Sequence, residues 1–460
     1  MTQTKQLPFW TPRSYQFEGV KLGLTQACAG YLLRPGMGKT TIVYAIVKIL
    51  KDKKMPHRTI VIAPIKPMYN VWPHQCHAWS NFDDLKVRVA HGKDRVDALK
   101  DSTCDIVVIN PEGLEWLEQF ADYVKKNFDI LVVDESTKFK NTSTQRFKRI
   151  RKFIQYFKRR YILTGSFTPQ GLLDLFGQIY ILDEGASLGR FITHYRKNYF
   201  YSDYMGFNWF PHAGSAEKIA EKIAPLTLVM EREGNIEMPE LLPPNDIVVD
   251  IPENCRTEYN RMEQAMLMNL GDDDKVIAAN AAVATSKCRQ IANGAVFKED
   301  HTWEDLHDAK IQAVMDLVDQ LSGEPLLIAY EFKFDLEKLR KAFPDALLLT
   351  TGNAQKDDVA IRAFSCGLKT VGLGQVSSIS LGIDGLQNNC ANICMYGLTW
   401  DLQAYTQTID RVWRPGQKSK YVSLHRIIAR DTVDERVISV LNNKEATQTH
   451  FLNLLKSMRD

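Results

Sequence analysis

The 460-residue chain has no apolar stretch long enough to cross a bilayer, which takes about 20 residues as a helix. Its first residues, Met1-Thr-Gln-Thr-Lys-Gln6, lack the apolar core of a secretory signal. Low-complexity tracts, heptads and short repeats are missing too, so coiled-coil and solenoid architectures are not expected. Charge of one sign is also lacking: 58 Lys and Arg against 55 Asp and Glu leave a net charge of +3. Cysteine is sparse, with eight residues scattered through strand-like segments such as Cys104 ahead of Asp105-Ile-Val-Val-Ile109. That pattern reads as reduced core thiols of a cytosolic protein, not as a disulfide framework. Cys390 and Cys394 flank a strand with no second Cys/His pair nearby, so they read as core and not as zinc ligands.

What remains is an α/β pattern. Apolar runs at Ala29–Leu33, Thr59–Ala63, Asp105–Asn110, Asp129–Val133 and Tyr161–Leu163 alternate with helical segments. A second series begins near Pro325, with runs at Leu326–Tyr330, Ala346–Thr350, Thr370–Leu373, Ala391–Tyr396 and Tyr421–Ile428. Each series predicts a mainly parallel sheet wrapped by helices. Between them lie an aromatic, turn-rich stretch from Phe200 to Phe210, a break at Leu241-Leu-Pro-Pro244 and a largely helical segment over Glu253–Asn293. The length predicts two domains, each able to bury a core. We place them at residues 1–243 and 244–460, with helical insertions on both sides of the boundary.

Two short runs carry chemistry. Leu33-Arg34-Pro35-Gly36-Met37-Gly38-Lys39-Thr40 sits between a predicted strand and the helical pattern Thr41–Leu50. Strand, glycine turn and helix is the context of a phosphate loop. Gly36 and Gly38 let backbone N–H groups approach phosphates, and the helix N-terminus adds positive potential. Lys39 can reach the terminal phosphates, and Thr40 can hold Mg²⁺ through its hydroxyl. The general motif's first glycine is Leu33 here. Asp134-Glu135 ends the second run, Phe128–Val133. Carboxylates at the C-terminal edge of a parallel sheet face the ligand crevice. Asp134 is expected to hold the metal, and Glu135 to orient or deprotonate an attacking water. From Lys138 to Arg160 there are ten Lys/Arg and no acidic residue. A nucleic-acid backbone contact is expected for part of that run, Lys138 and Lys140 among it.

These motifs, with a closing segment, resemble the superfamily 2 helicase-like ATPases, in their Swi/Snf chromatin-remodeler-like branch. The resemblance runs from Arg13 to Arg436. Arg13-Ser-Tyr-Gln16 is similar to the family's opening motif, in which the glutamine reads adenine. Ala63-Pro64 with Asn70-Val-Trp72 and Trp79 is similar to a DNA-contacting motif; Lys66 and Asn70 are then phosphate contacts, and Trp72 and Trp79 core packing. Leu163-Thr164-Gly165-Ser166 resembles the motif that couples ATP to DNA. Lys287–Gly294 resembles the branch's helical insertion, and Gly382-Ile-Asp-Gly385-Leu-Gln387 the second-lobe motif near DNA and nucleotide. Gln407, Asp410, Arg411, Arg414, Gly416 and Gln417 match the closing motif in order. Arg411 and Arg414 are spaced to share one helix face if that stretch is helical. One would act as an arginine finger on the terminal phosphate, and the other would assist or join the lobes.

The resemblance implies two RecA-like lobes and a DNA-stimulated ATPase using ATP and Mg²⁺. The expected nucleotide contacts are Arg13, Gln16, Pro35, Gly36, Met37, Gly38, Lys39, Thr40, Thr41 and Gln407. The expected nucleic-acid contacts are Lys66, Asn70, Lys138, Lys140, Thr164, Gly382 and Gly385. Such a chain would translocate on duplex or branched DNA as a monomer, remodelling DNA structures or displacing bound proteins, in a cytoplasm or, in a eukaryote, a nucleus. A strand-separating DNA or RNA helicase and a nucleotide-regulated clamp with little turnover are the alternative readings. An RNA partner stays open, since a backbone-tracking groove carries few sequence marks. The acidic motif departs from the branch: Ser136 and Thr137 stand where Ala and His are usual. The Thr164–Pro169 motif is one residue longer than the family's form.

Overall fold

The computed structural model describes residues 7–204, 208–232, 234–268, 274–380 and 382–458. It divides into two compact units, Met1–Glu237 with Lys444–Asp460, and Met238–Asn443.

The first unit contains β1 (Cys28–Leu33), β2 (Thr59–Ile62), β3 (Val87–Val89), β4 (Ile106–Ile109), β5 (Ile130–Asp134), β6 (Arg159–Thr164), β7 (Phe200–Ser202), β8 (Trp209–Pro211) and β9 (Thr227–Met230). Seven of these form one sheet in the order β3-β4-β2-β5-β6-β1-β9, with every pairing parallel. Parallel neighbours need crossovers, and the crossover helices cover both faces. Alternate residues of the strands therefore enter two separate cores. Leu32, Ile60, Ile62, Val107, Leu131, Val133 and Ile162 face one. Tyr31, Leu33, Val61, Val108, Ile130, Val132 and Leu163 face the other. Two-sided burial is why these strands read as unbroken apolar runs. The aromatic stretch near Phe200 forms the antiparallel hairpin β7–β8, with residues 205–207 of that stretch outside the described residues.

The second unit contains β10 (Glu240–Leu241), β11 (Asn245–Val249), β12 (Ala295–Phe297), β13 (Trp303–Asp305), β14 (Leu326–Tyr330), β15 (Leu347–Leu348), β16 (Val371–Gln375), β17 (Asn392–Met395) and β18 (Tyr421–Ala429). Its sheet runs β10-β18-β17-β14-β16-β15, with β11 also on β18, again all parallel. Strands β12 and β13 form a separate hairpin. Helices Glu253–Met268 and Asp274–Ala292 supply the expected helical insertion.

Proline-rich Leu241–Pro244, read from sequence as a break, is an interruption within one sheet edge. Strand β10 pairs with Tyr421–Val422, and β11 rejoins the same strand at His425–Ala429. Proline has no N–H to give to the ladder, so the chain leaves the edge there and returns. The unit boundary falls ahead of this edge, after Glu237. Residues 444–460 also depart from the split at 243/244, because Phe451, Leu452 and Leu455 are buried in the first unit's core. Helix Val433–Ser457 thus gives its C-terminal half to the first unit.

The cysteines are mostly buried thiols, Cys390 and Cys394 among them, whereas Cys366 is exposed. Burial pushes the Cys394 thiol up to about 12. No helix among the described residues is long and apolar enough to cross a membrane.

Candidate active site

The phosphate loop leaves the C-terminal end of β1 and enters helix Lys39–Asp52. The loop turns on glycine: Gly36 has φ 86° and Gly38, the residue capping the helix, has φ 75°. At Gly38 a side chain is excluded twice over. Its φ is left-handed, and an added Cβ would meet Gln16 Nε2 at 2.4 Å and Thr41 Oγ1 at 2.8 Å. Lys39 Nζ donates to the Leu33 carbonyl at 2.7 Å, which lays its chain back along the loop. Thr40 is buried, and Thr41 Oγ1 donates to the Gly38 carbonyl at 2.8 Å. Met37 is the loop's anchor. Its side chain is fully buried, and its carbonyl accepts from Tyr15 Oη at 3.0 Å and Gln16 Nε2 at 3.2 Å. Gln16 Oε1 accepts from the Arg13 N–H at 3.0 Å. Both ends of this buried amide are therefore engaged by the loop and by its own helix start. Arg13 reaches the Asn235 carbonyl at 3.3 Å.

Asp134 ends β5, which lies one strand away from β1 in the sheet order, so both loops leave the same C-terminal edge. Its carboxyl is held up at about 6, first by burial and then by the neighbouring Glu135 charge. The Trp72 hydrogen bond and the Lys39 charge pull in the other direction. Lys39 is thus close enough to Asp134 to act on it electrostatically. Asp134 Oδ1 accepts from the Glu135 N–H at 3.1 Å, and Oδ2 from Trp72 Nε1 at 3.0 Å. Glu135 has φ 53° and ψ 56°, a left-handed conformation that costs a non-glycine residue about 1–3 kcal/mol. Ser136 and Thr137 are both buried. Ser136 Oγ donates to Gln178 Oε1 at 2.7 Å, and Gln178 Nε2 donates to the Phe167 carbonyl at 2.8 Å. The departures at Ser136 and in the Thr164–Pro169 motif are joined by this one glutamine.

Hard oxygen donors suit Mg²⁺. The Asp134 carboxylate carries one N–H on each oxygen, which leaves lone pairs for a cation, and Thr40 supplies a hydroxyl at the start of the loop helix. These residues fit the ion the sequence implies.

The expected nucleic-acid contacts divide. Asn70 and Lys138 are exposed, and Lys66 is half-buried. Thr164 is fully buried, and its hydroxyl is spent in its own turn, donating to the Ser166 carbonyl at 2.7 Å and accepting from the Ser166 N–H at 3.1 Å. It is not presented at the surface. Lys140 Nζ pairs with Asp174 at 3.2 Å. The basic run is largely answered within the fold. Arg146, Arg149 and Lys152 pair with Glu112, Glu115 and Glu118 at 2.7, 2.9 and 3.0 Å, a ladder with three-residue spacing on both sides. Lys158 pairs with Asp129 at 2.9 Å, and Arg160 with Glu184 at 2.5 Å. Arg159 Nη1 donates to the carbonyls of Gly23 and Leu24 at 2.9 and 3.2 Å.

In the second unit, helix Leu402–Ile409 carries buried Gln407 and ends before Arg411. Arg411 and Arg414 lie in the following turns and share no helix face. They converge instead on one loop. Arg411 donates to the carbonyls of Ser380 and Ile383, and Arg414 pairs with Asp384 at 3.0 Å. Gly382 and Gly385 bracket Ile383 and Asp384 in that loop.

Sequence reasoning missed two contacts here. Trp72 reads from sequence as core packing, yet its Nε1 donates to Asp134 Oδ2. Arg232, which is 1% exposed, donates to the Pro35 carbonyl of the phosphate loop at 2.6 Å. No motif spacing marks either one; their roles exist only through the fold.

The family model for the SNF2-related domain matches residues 15–293. A phage protein designated p41, from Acyrthosiphon pisum secondary endosymbiont phage 1, is 30% identical over 97% of this chain and 99% of its own length. An uncharacterized ATP-dependent helicase of Mycoplasma genitalium is 24% identical over 97% of this chain, which spans 43% of that relative. The SWI/SNF-related matrix-associated actin-dependent regulator of chromatin subfamily A-like protein 1 of Xenopus laevis is 24% identical over 94% of this chain and 43% of its own. A solved structure, the Sulfolobus solfataricus SWI2/SNF2 ATPase core in complex with dsDNA, is similar over 97% of this chain and 94% of its own at 18% identity, with a TM-score of 0.46. The chain belongs to the SNF2-related family and is an ATP-hydrolysing, helicase-like enzyme of that family.

Proposed function

We propose that the protein is a DNA-stimulated ATPase that moves along double-stranded or branched DNA, remodelling it or displacing bound proteins. The observation that carries the reading is the meeting, at one edge of one sheet, of the Gly36–Gly38 loop, Lys39 and the Asp134 carboxylate. Lys39 would hold the terminal phosphates, with loop N–H groups around them. Asp134 and Thr40 would hold Mg²⁺, which when bound neutralises phosphate charge. Glu135 would orient or deprotonate the attacking water. Arg411 and Arg414 would stabilise charge that develops during hydrolysis. The names of the cellular relatives, an ATP-dependent helicase and a chromatin regulator, support nucleic acid as the activator. Contacts mainly to phosphate would make binding sequence-independent and salt-sensitive.

The test is ATP hydrolysis without nucleic acid, and then with single-stranded, duplex and forked DNA and with RNA, using Lys39→Ala as the blank. Stimulation by duplex or forked DNA that is lost in Lys39→Ala is the expected result. Stimulation by RNA or single strands alone would overturn the translocase reading in favour of a strand-separating helicase. Turnover that no nucleic acid stimulates would remove the activator from the proposal.

A further inference from the structure

We infer that Trp72 is a positioning residue for Asp134, holding that carboxylate in register with the phosphate-loop helix. The inference deepens the nucleotide-site reading above and rests on it. Trp72 is fully buried, as a core residue would be. Packing alone, however, asks for no indole N–H. Here Nε1 donates to Asp134 Oδ2 at 3.0 Å, while Oδ1 accepts from the Glu135 N–H at 3.1 Å. One donor on each oxygen fixes the plane of the carboxylate. Hydrogen bonds to an ionised acceptor are among the stronger ones, and a donor buried without its acceptor is costly.

Trp72 is itself held from a third element, at its main-chain carbonyl and at its ring. Tyr44, on helix Lys39–Asp52, donates its hydroxyl to the Trp72 carbonyl. The two rings also meet edge to face, with centroids 5.5 Å apart and an interplanar angle of 81°. Tyr44 is fully buried as well. The helix that begins at Lys39 and the strand that ends at Asp134 are therefore keyed to one side chain. Trp72 also follows the Ile65–Asn70 helix directly, two residues after exposed Asn70. A nucleic acid engaging Asn70 would act beside the group that orients the carboxylate. Partners that orient a metal ligand typically cost 10–100-fold in metal affinity or activity when removed.

The experiment compares ADP binding by calorimetry in Mg²⁺ and in EDTA, for the unaltered chain and for Trp72→Phe, with thermal melting of each. The expected result is that the gain in affinity on adding Mg²⁺ falls by about 10–100-fold in Trp72→Phe, while binding in EDTA is unchanged. Tyr44→Phe should show a smaller loss in the same direction. A second readout needs no folded variant. With ¹⁵N-labelled tryptophan, the Trp72 indole resonance of the unaltered chain should move when Mg²⁺ is added to the ADP complex. An unchanged Mg²⁺ dependence, an equal loss with and without Mg²⁺, or a stationary indole resonance overturns the inference. If the unaltered chain binds no ADP in Mg²⁺, the nucleotide site itself is refuted, which is a different result.

Discussion

Glu135 sits in a left-handed conformation next to a buried carboxylate, and Ser136 behind it is tied to Gln178. Three consecutive residues thus do different work where β5 ends: Asp134 closes the strand, Glu135 bears strain, and Ser136 anchors. The places of Gly38 and Lys39 at a strand-to-helix turn and of Asp134 at a strand end were legible from sequence, because strand, glycine and charge type are all local signals. The indole on Asp134 and the Gln178 amide on Ser136 were not, because they depend on residues distant in sequence meeting in space. Both Ser136 and Gln178 are fully buried. Ser136→Ala leaves the Gln178 Oε1 without its donor, and an unsatisfied buried acceptor costs about 1–3 kcal/mol. Urea unfolding of Ser136→Ala should show a loss of that size, and an unchanged midpoint would contradict the contact.

At the scale of elements, the basic run shows how composition misleads when its partners lie elsewhere in the chain. Helix Gln145–Phe153 looks like a cationic surface only until Glu112, Glu115 and Glu118 are set against it. Each of these pairs is solvent-exposed on at least one side, so each contributes about 0.2–1 kcal/mol and weakens with salt. Changing the three glutamates to glutamine should therefore cost little stability while unmasking three cations. Affinity for duplex DNA should rise, and the slope of log affinity against log salt should steepen. Filter binding over a salt series reads both, and no change in either would mean that this face is remote from the nucleic acid. Thr164 belongs to the same lesson, since its place in a matching motif says nothing of its burial.

At the scale of the molecule, the two units are compact by contact, but their limits do not follow a single cut in the chain. The final residues, 444–460, belong with the first unit, where Phe451, Leu452 and Leu455 enter the core and Lys456 pairs with Glu231 at 2.7 Å. Gln448 Oε1 also accepts from Ser166 Oγ at 2.9 Å, inside the Thr164–Pro169 motif. Ending the chain at Asn443 would remove all of these. Loss of a large buried side chain costs about 2–5 kcal/mol each, so the shortened chain should melt well below the full one. Melting followed by tryptophan emission and by far-ultraviolet circular dichroism reads this, and equal melting temperatures would refute the assignment.

The sequence alone determined the two parallel α/β sheets, the glycine turn between β1 and the helix that starts at Lys39, and the acidic strand end. Each of these is written in a local signal: apolar runs buried on both faces, glycines at a strand-to-helix turn, and carboxylates where a strand stops. Tertiary structure alone decided where the chain divides, which cations are already paired, that Arg411 and Arg414 reach Ser380, Ile383 and Asp384, and that the Trp72 indole meets Asp134. Those depend on groups distant in sequence, and no periodicity or spacing encodes the distance between residues that only folding brings together.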